Sequence, residues 1–199
     1  MPDFSIENEY KNKGCKIVCG IDEAGRGPLA GPVCAAAVIL PDGCFIEGLD
    51  DSKKLSEKKR EELYDTIIKN AVSYAVSYGT LKDIEEFNIL QATFTAMKKS
   101  VEKLKVIPDF ALIDGNRTPK NFSVPCAAVI KGDSLSCSIA AASVLAKVTR
   151  DRLMRIYDGI YPEYNFKKHK GYGTKEHYEA IKRYGISPIH RLTFLKNVL

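Results

Sequence analysis

Four carboxylates stand where short apolar runs stop. Asp22 and Glu23 follow Ile17-Val18-Cys19-Gly20-Ile21, Asp114 follows Phe110-Ala111-Leu112-Ile113, and Asp133 follows Ala127-Ala128-Val129-Ile130 after Lys131-Gly132. Short apolar runs bounded by turn residues read as buried strands. Open α/β sheets place their ligands at the carboxyl ends of such strands, so acids at three ends converge on one edge. Carboxylates grouped without His or Cys suit hard cations such as Mg²⁺ or Mn²⁺ and not zinc. Four at one point repel strongly unless a cation sits among them. Turns also favour Asp for their own reasons, so a plain turn reading stands beside the metal reading at this point.

The stretch after the first two acids, Ala24-Gly25-Arg26-Gly27-Pro28-Leu29-Ala30-Gly31-Pro32, narrows the chemistry. Gly25 and Gly27 let a ligand approach the main chain, and Arg26 between them is a fork-shaped donor suited to phosphate. Acids beside such a loop suggest metal-assisted phosphate chemistry. Strand alternation sends Asp22 and Glu23 to opposite faces, so Glu23 joins the site only if the strand ends or bends there.

These residues need a sheet to hold them. The apolar runs predict strands over about 15–22, 33–40, 72–78, 110–113 and 127–130, with helices over about 56–70, 88–105, 139–148 and 174–184. Ser56 is a candidate N-cap and Gly185 a C-cap. The link between the first two strands is too short for a crossover helix, so they are expected to be antiparallel neighbours. The fourth strand, reached through a helix, can lie parallel to the first. Residues 1–14 read as a short polar leader and 15–199 as a single domain with a C-terminal helical segment that binds substrate.

At 199 residues the chain can bury a substantial core. Its formal charge of +5 permits a nucleic-acid partner without requiring one. No apolar run is long enough to span a bilayer, and the acidic N-terminus lacks the regions of a signal peptide. The six cysteines contain no Cys-x-x-Cys pair and read as small buried thiols. A cytoplasmic protein is expected.

The unbroken block Asp22-Glu23-Ala24-Gly25-Arg26-Gly27-Pro28-Leu29-Ala30-Gly31-Pro32 resembles the signature of bacterial ribonuclease HII, the type 2 ribonuclease H family. Ile113-Asp114-Gly115-Asn116, Lys131-Gly132-Asp133, Asp51-Ser52-Lys53-Lys54-Leu55-Ser56, Phe87-Asn88-Ile89-Leu90, the helix 140–151 and His169-Lys170-Gly171-Tyr172 resemble that family as well. The resemblance implies a ribonuclease H-like α/β fold, a mixed five-stranded sheet flanked by helices. It implies endonucleolytic cleavage of RNA in RNA–DNA hybrids and 5′ of single ribonucleotides in duplex DNA, serving ribonucleotide and primer removal. Asp22, Glu23, Asp114 and Asp133 would bind two Mg²⁺ or Mn²⁺ ions, one activating water and the other stabilising the leaving 3′-oxygen. Gly25, Arg26 and Gly27 would hold the ribonucleotide by its 2′-hydroxyl, with Lys53, Asn88, Lys170 and Tyr172 as further substrate contacts. A monomer is expected, and a sliding-clamp association is not legible in the residues.

Other readings of single residues stay open beside this one. Lys53, Lys54, Lys167, Lys168 and Lys170 are either solvated loop charges or one duplex-binding face. His169 and His190 are substrate-binding or structural, and Tyr172 is a packing aromatic or a stacking one. Asp151, beside Arg150, reads as a surface ion-pair former. The related ribonuclease HIII and a non-catalytic nucleic-acid-binding domain are the two alternative classes.

Overall fold

The computed structural model describes residues 1–50, 52, 53 and 55–196; Asp51 and Lys54 of the lysine loop lie outside them. Strands β1 (Val18–Ala24), β2 (Val33–Ile39), β3 (Ser73–Gly79), β4 (Phe110–Asp114) and β5 (Cys126–Val129) form a mixed sheet ordered β3-β2-β1-β4-β5. β2 runs antiparallel to β1 and to β3, while β4 is parallel to both β1 and β5. The expected five strands and their pairing are therefore present.

Helices cover both faces. On one, α4 (Cys137–Ile160) and α2 (Glu57–Asn70) pack Ala140, Ala141, Val144, Leu145, Leu63 and Ile67 against Ala36 and Val38. On the other, α3 (Leu81–Glu102) packs Ala96, Met97 and Val101 against Cys19, Ile21, Ala35 and Ile113. Contact is close because small residues meet. A β-carbon on Gly20 would stand 2.1 Å from the Ser138 carbonyl carbon, so α4 can lie on β1 only if that position is glycine.

Local signals set several boundaries as expected. Ser56 Oγ accepts from Lys59 N at 3.2 Å to start α2, and Gly185 N closes α6 (Lys175–Tyr184) on Ile181 O at 2.9 Å. Other expectations are corrected. Residues 1–14, read as a short polar leader, contain a helix the periodicity did not predict: α1 (Ser5–Asn12) stacks Tyr10 on Phe110 and buries Glu7. Glu7 Oε1 accepts from Ser136 Oγ and Ser138 N at 2.7 and 2.9 Å, satisfying the start of α4. α3 begins earlier than expected, at a Thr80/Asp83 capping box. Its second half starts after a kink at Asn88, whose φ is 74°. α4 runs twelve residues past 148, to Ile160, because Arg152 and Arg155 on its polar side pair with Glu61 and Glu57 of α2. In β3 the fully buried positions are Ser73, Ala75, Ser77 and Gly79 rather than the large residues.

A third apolar cluster lies past the sheet. Leu29, Ala30, Met154, Tyr164, Phe166, Ile181 and Leu195 join the glycine loop to α4, α5 (Phe166–His169) and α6. Backbone bonds Leu29 N to Gly171 O, Gly31 N to Ile189 O and Arg191 N to Leu29 O, each 2.8 Å, stitch the same parts together. Among the described residues no helix is long and apolar enough to cross a membrane.

Candidate active site

Register brings the acids together. Ile21 pairs with Ile113 across β1 and β4, so the next residues, Asp22 and Asp114, stand side by side on the α4 face. After β5 the chain turns through Lys131, held in the left-handed region at φ 57°, into a 3₁₀ turn Gly132–Ser134. That turn places Asp133 N 3.3 Å from Asp114 Oδ1, to which it donates. One carboxylate oxygen from each of Asp22, Asp114 and Asp133 lies within 4.8 Å of the others. Asp22 and Asp133 are only 3 % and 5 % exposed.

Such crowding disfavours charge. Burial, then the charges of Glu23 and Asp114, hold the Asp22 carboxyl well above its ordinary range, against hydrogen bonds from Ser143 and the Glu23 N–H. Burial and then Asp133 raise Asp114 as well. The donor set is all oxygen, compact and short of positive charge, which fits a hard divalent cation held by Asp22, Asp114 and Asp133.

Glu23 stands outside that trio. β1 continues through Ala24 without ending or bending at the acids, so alternation turns Glu23 to the α3 face. It lines the same 390 Å³ cleft as Asp22 and Asp114, and its carboxylate sits 3.4 Å from Arg26 NH1. Burial raises its pKa, with Asp114 adding to the shift and Arg26 opposing it.

The glycine loop is held from behind by two buried arginines. Arg150 donates from Nε to Pro32 O (3.1 Å), from NH1 to Lys170 O (2.9 Å) and from NH2 to Ala30 O (3.0 Å). Arg191 donates to Gly31 O (2.8 Å), Arg26 O (2.9 Å) and Gly25 O (2.6 Å). Six carbonyls are thereby engaged on the protein side. The N–H groups of Gly25, Arg26 and Gly27 have no acceptor among the described residues. A loop with the carbonyls of Gly25 and Arg26 engaged from behind and its N–H groups open is an anion- or hydroxyl-binding surface.

Tyr172 lines the cleft beside the loop. A β-carbon on Gly27 would touch its Cε1 at 3.5 Å, and the residue is 45 % exposed. Its backbone is fixed by three histidines. Tyr172 N donates to His169 O at 2.9 Å, and His177 Nδ1 contacts Tyr172 O at 2.9 Å. His177 Nε2 meets His190 Nε2 at 3.0 Å, and His190 Nδ1 accepts from Ser187 N at 2.9 Å. This chain requires neutral rings: His190 donates to His177, which donates in turn to Tyr172 O. Burial pushes His177 down to about 4 and lowers His169 and His190 too.

The family model for ribonuclease HII matches residues 19–197, the span containing all of these groups. This chain belongs to the ribonuclease HII family. It is 56% identical over 194 residues to the ribonuclease HII of Clostridioides difficile (strain 630), covering 98% of this chain and 76% of that one. It is 54% identical over 196 residues to the ribonuclease HII of Caldicellulosiruptor bescii, covering 98% and 95%. The solved ribonuclease H2 of Pyrococcus horikoshii OT3 superposes with a TM-score of 0.75 at 29% identity, over 92% of this chain and 96% of that one. Ribonuclease HII proteins are endoribonucleases, and the fold found here is the ribonuclease H-like fold of those relatives.

The remaining residues expected at a ribonuclease HII site fall in different places. Lys53 Nζ reaches Asp133 Oδ2 at 3.4 Å while its side chain stays 73 % exposed. Its loop is tied down by Arg60, which donates to Ser52 O at 2.9 Å and lies 3.9 Å from Asp151. Asp151, paired also with Lys147 at 2.7 Å, is buried and not at the surface as expected, because α2 covers it. Asn88 is exposed, and its Oδ1 accepts from Leu90 N and Gln91 N at 3.0 and 3.2 Å, capping the second half of α3. Lys170 turns its ammonium toward Lys167 O and Glu57, and its side chain is 11% exposed. Lys167 and Lys168 pair with Asp158 and Glu176. The sequence reading missed Arg191 and His177 altogether. Arg191 had one signal, a basic residue beside the apolar Ile189 and Leu192; His177, among Lys175, Glu176 and Glu179, had none.

Proposed function

We propose that this chain hydrolyses the RNA strand of RNA–DNA hybrids and cuts 5′ of single ribonucleotides in duplex DNA, leaving 5′-phosphate and 3′-hydroxyl ends. One observation carries the reading: a single cleft is lined by Asp22, Glu23 and Asp114, the open donors of Gly25-Arg26-Gly27 and Tyr172. Acids alone would fit many phosphodiesterases. A glycine loop that can bond a 2′-hydroxyl at close range gives the preference for RNA.

In this reading Asp22, Asp114 and Asp133, with Glu23 beside them, hold Mg²⁺ or Mn²⁺. The bound ions supply Lewis acidity at the scissile phosphate and lower the pKa of water. The chain's own residues do the rest. Gly25 and Gly27 offer N–H groups to the ribose, where no side chain blocks approach. Arg26 and Lys53 place positive charge beside the phosphate. Tyr172 packs on the deoxyribose that follows, where an added 2′-hydroxyl would spoil the fit. Lys170 contributes its carbonyl to the Arg150 network, which fixes the loop bearing Tyr172.

End-labelled duplexes containing one ribonucleotide or four in a row test this directly. The expected products in Mg²⁺ or Mn²⁺ end in a 3′-hydroxyl immediately 5′ of a ribonucleotide. Cleavage only within the four-ribonucleotide tract would favour a ribonuclease HIII-like activity, and binding without cleavage a non-catalytic domain.

A further inference from the structure

We infer that a basic trough on the α3 face receives the backbone of the cleaved strand 5′ of the cut, within about three nucleotides of it. The inference rests on the functional reading above and adds a binding site to it. The trough starts at the acids: a 320 Å³ hollow is lined by Glu23, Arg26 and Asp114 together with Leu90, Phe94, Asn116 and Arg117. The last four residues also line a larger hollow of about 850 Å³, so the two are continuous. That larger hollow runs between the Leu90-Phe94-Lys98 stripe of α3, the Asn116–Asn121 loop and β5, the free edge of the sheet.

Its chemistry is one-sided. Lys98, Arg117 and Lys120 line it, and no Asp or Glu does. Among the described residues none of these three cations has an acidic partner, whereas Lys167, Lys168, Arg152 and Arg155 elsewhere are all paired. Thr118, Asn116 and Asn121 add neutral donors, and Phe94 gives the floor an apolar strip. Unpaired cations over such a floor suit a polyanionic strand with sugar and base surface beside its phosphates.

Position sets direction and distance. Gly25, Gly27 and Tyr172 line the catalytic cleft but not the trough, which shares with it Glu23, Arg26 and Asp114. If the ribonucleotide sits on the loop and its 3′ neighbour on Tyr172, the trough can only take the 5′ side. Arg117 follows Asp114 by three residues, a reach of at most about 11 Å. At a rise of about 3.4 Å per nucleotide this spans roughly three phosphates.

The test combines substrates and variants. Neutral methylphosphonate linkages are placed singly at the second or third phosphate 5′ of the cut, or at matching 3′ positions, in a duplex with one ribonucleotide. Binding is read by fluorescence anisotropy in EDTA and cleavage in Mg²⁺, for the wild-type chain and for Arg117→Ala and Lys120→Ala. A 5′ neutral linkage is expected to weaken wild-type binding about tenfold, the worth of one charge-assisted contact, and to weaken the Arg117→Ala protein hardly further. Additive losses, or full sensitivity to the 3′ linkages alone, would overturn the trough assignment. Failure of the wild-type chain to cleave the unmodified duplex would instead overturn the functional reading, while the binding arm still decides the trough.

Discussion

The guanidinium of Arg150 occupies the space that a side chain on Gly25 would need: a β-carbon there would stand 1.9 Å from Nε. Gly25 also has a φ of 94°, so two independent reasons exclude a side chain at this position. Arg150 cannot retreat, since its three donors hold Pro32, Lys170 and Ala30. Gly25→Ala is therefore expected to displace the loop and abolish cleavage at single ribonucleotides. Retained cleavage in an end-label assay would refute the clamp.

Arg191→Met would leave the carbonyls of Gly25, Arg26 and Gly31 without their donor. Unsatisfied buried groups cost about 1–3 kcal/mol each, so a loss near 3 kcal/mol and a fall in Tm of roughly 6–12 °C are expected. Calorimetry checks this, and a Tm unchanged within 1 °C would show that water replaces the guanidinium.

Asp22→Asn should abolish cleavage and yet stabilise the metal-free fold. The folded-state pKa of Asp22 is raised, so folding retains a proton that the unfolded chain releases near 3.8. Asp22 thus costs stability increasingly as pH rises through the window above 3.8. The variant should melt higher than wild type in EDTA at neutral pH, with the gap closing toward pH 4. Wild-type-like cleavage in Mg²⁺ would sink the metal-ligand assignment.

The histidine trio gives an acid limit of opposite sign. His177 titrates near 6.5 when unfolded and about 4 when folded, so its contribution is intact above 6.5 and lost as pH falls from 6.5 to 4. The loss is of order 3 kcal/mol. Thermal melts over this range should slope downward toward acid. His177→Asn, which can still donate to Tyr172 O, should flatten the slope in part, His169 and His190 supplying the remainder. An identical slope in the variant would exclude His177 as its source.

Tyr172→Ala should reduce cleavage at one embedded ribonucleotide by about ten- to a hundredfold, the worth of one aromatic stack. Cleavage within a long RNA tract should fall much less. Tyr172→Phe should be mild if the ring alone matters, since the hydroxyl makes no hydrogen bond among the described residues. Equal losses on both substrates would mean that Tyr172 only shapes its loop.

Local sequence determined the strand ends, their acids and the helix caps at Ser56 and Gly185. Each of these depends on residues a few positions apart: an apolar run meeting a turn, or a side chain meeting a nearby N–H. The same local rule foretold that Glu23 would face away from Asp22. What it could not decide was whether the strand bends there, and pairing with β2 through Glu23 and Ala24 kept it straight. Tertiary structure alone decided the rest. The parallel register of Ile21 with Ile113 made neighbours of two acids 92 positions apart in the chain. Arg150 and Arg191 acquired their roles from carbonyls that, Lys170 apart, lie more than a hundred positions away in sequence, and α1 was ordered by the start of α4. Ion pairs, buried guanidinium networks and neutral histidine chains depend on which elements the hydrophobic core presses together, and no periodicity in the chain records that.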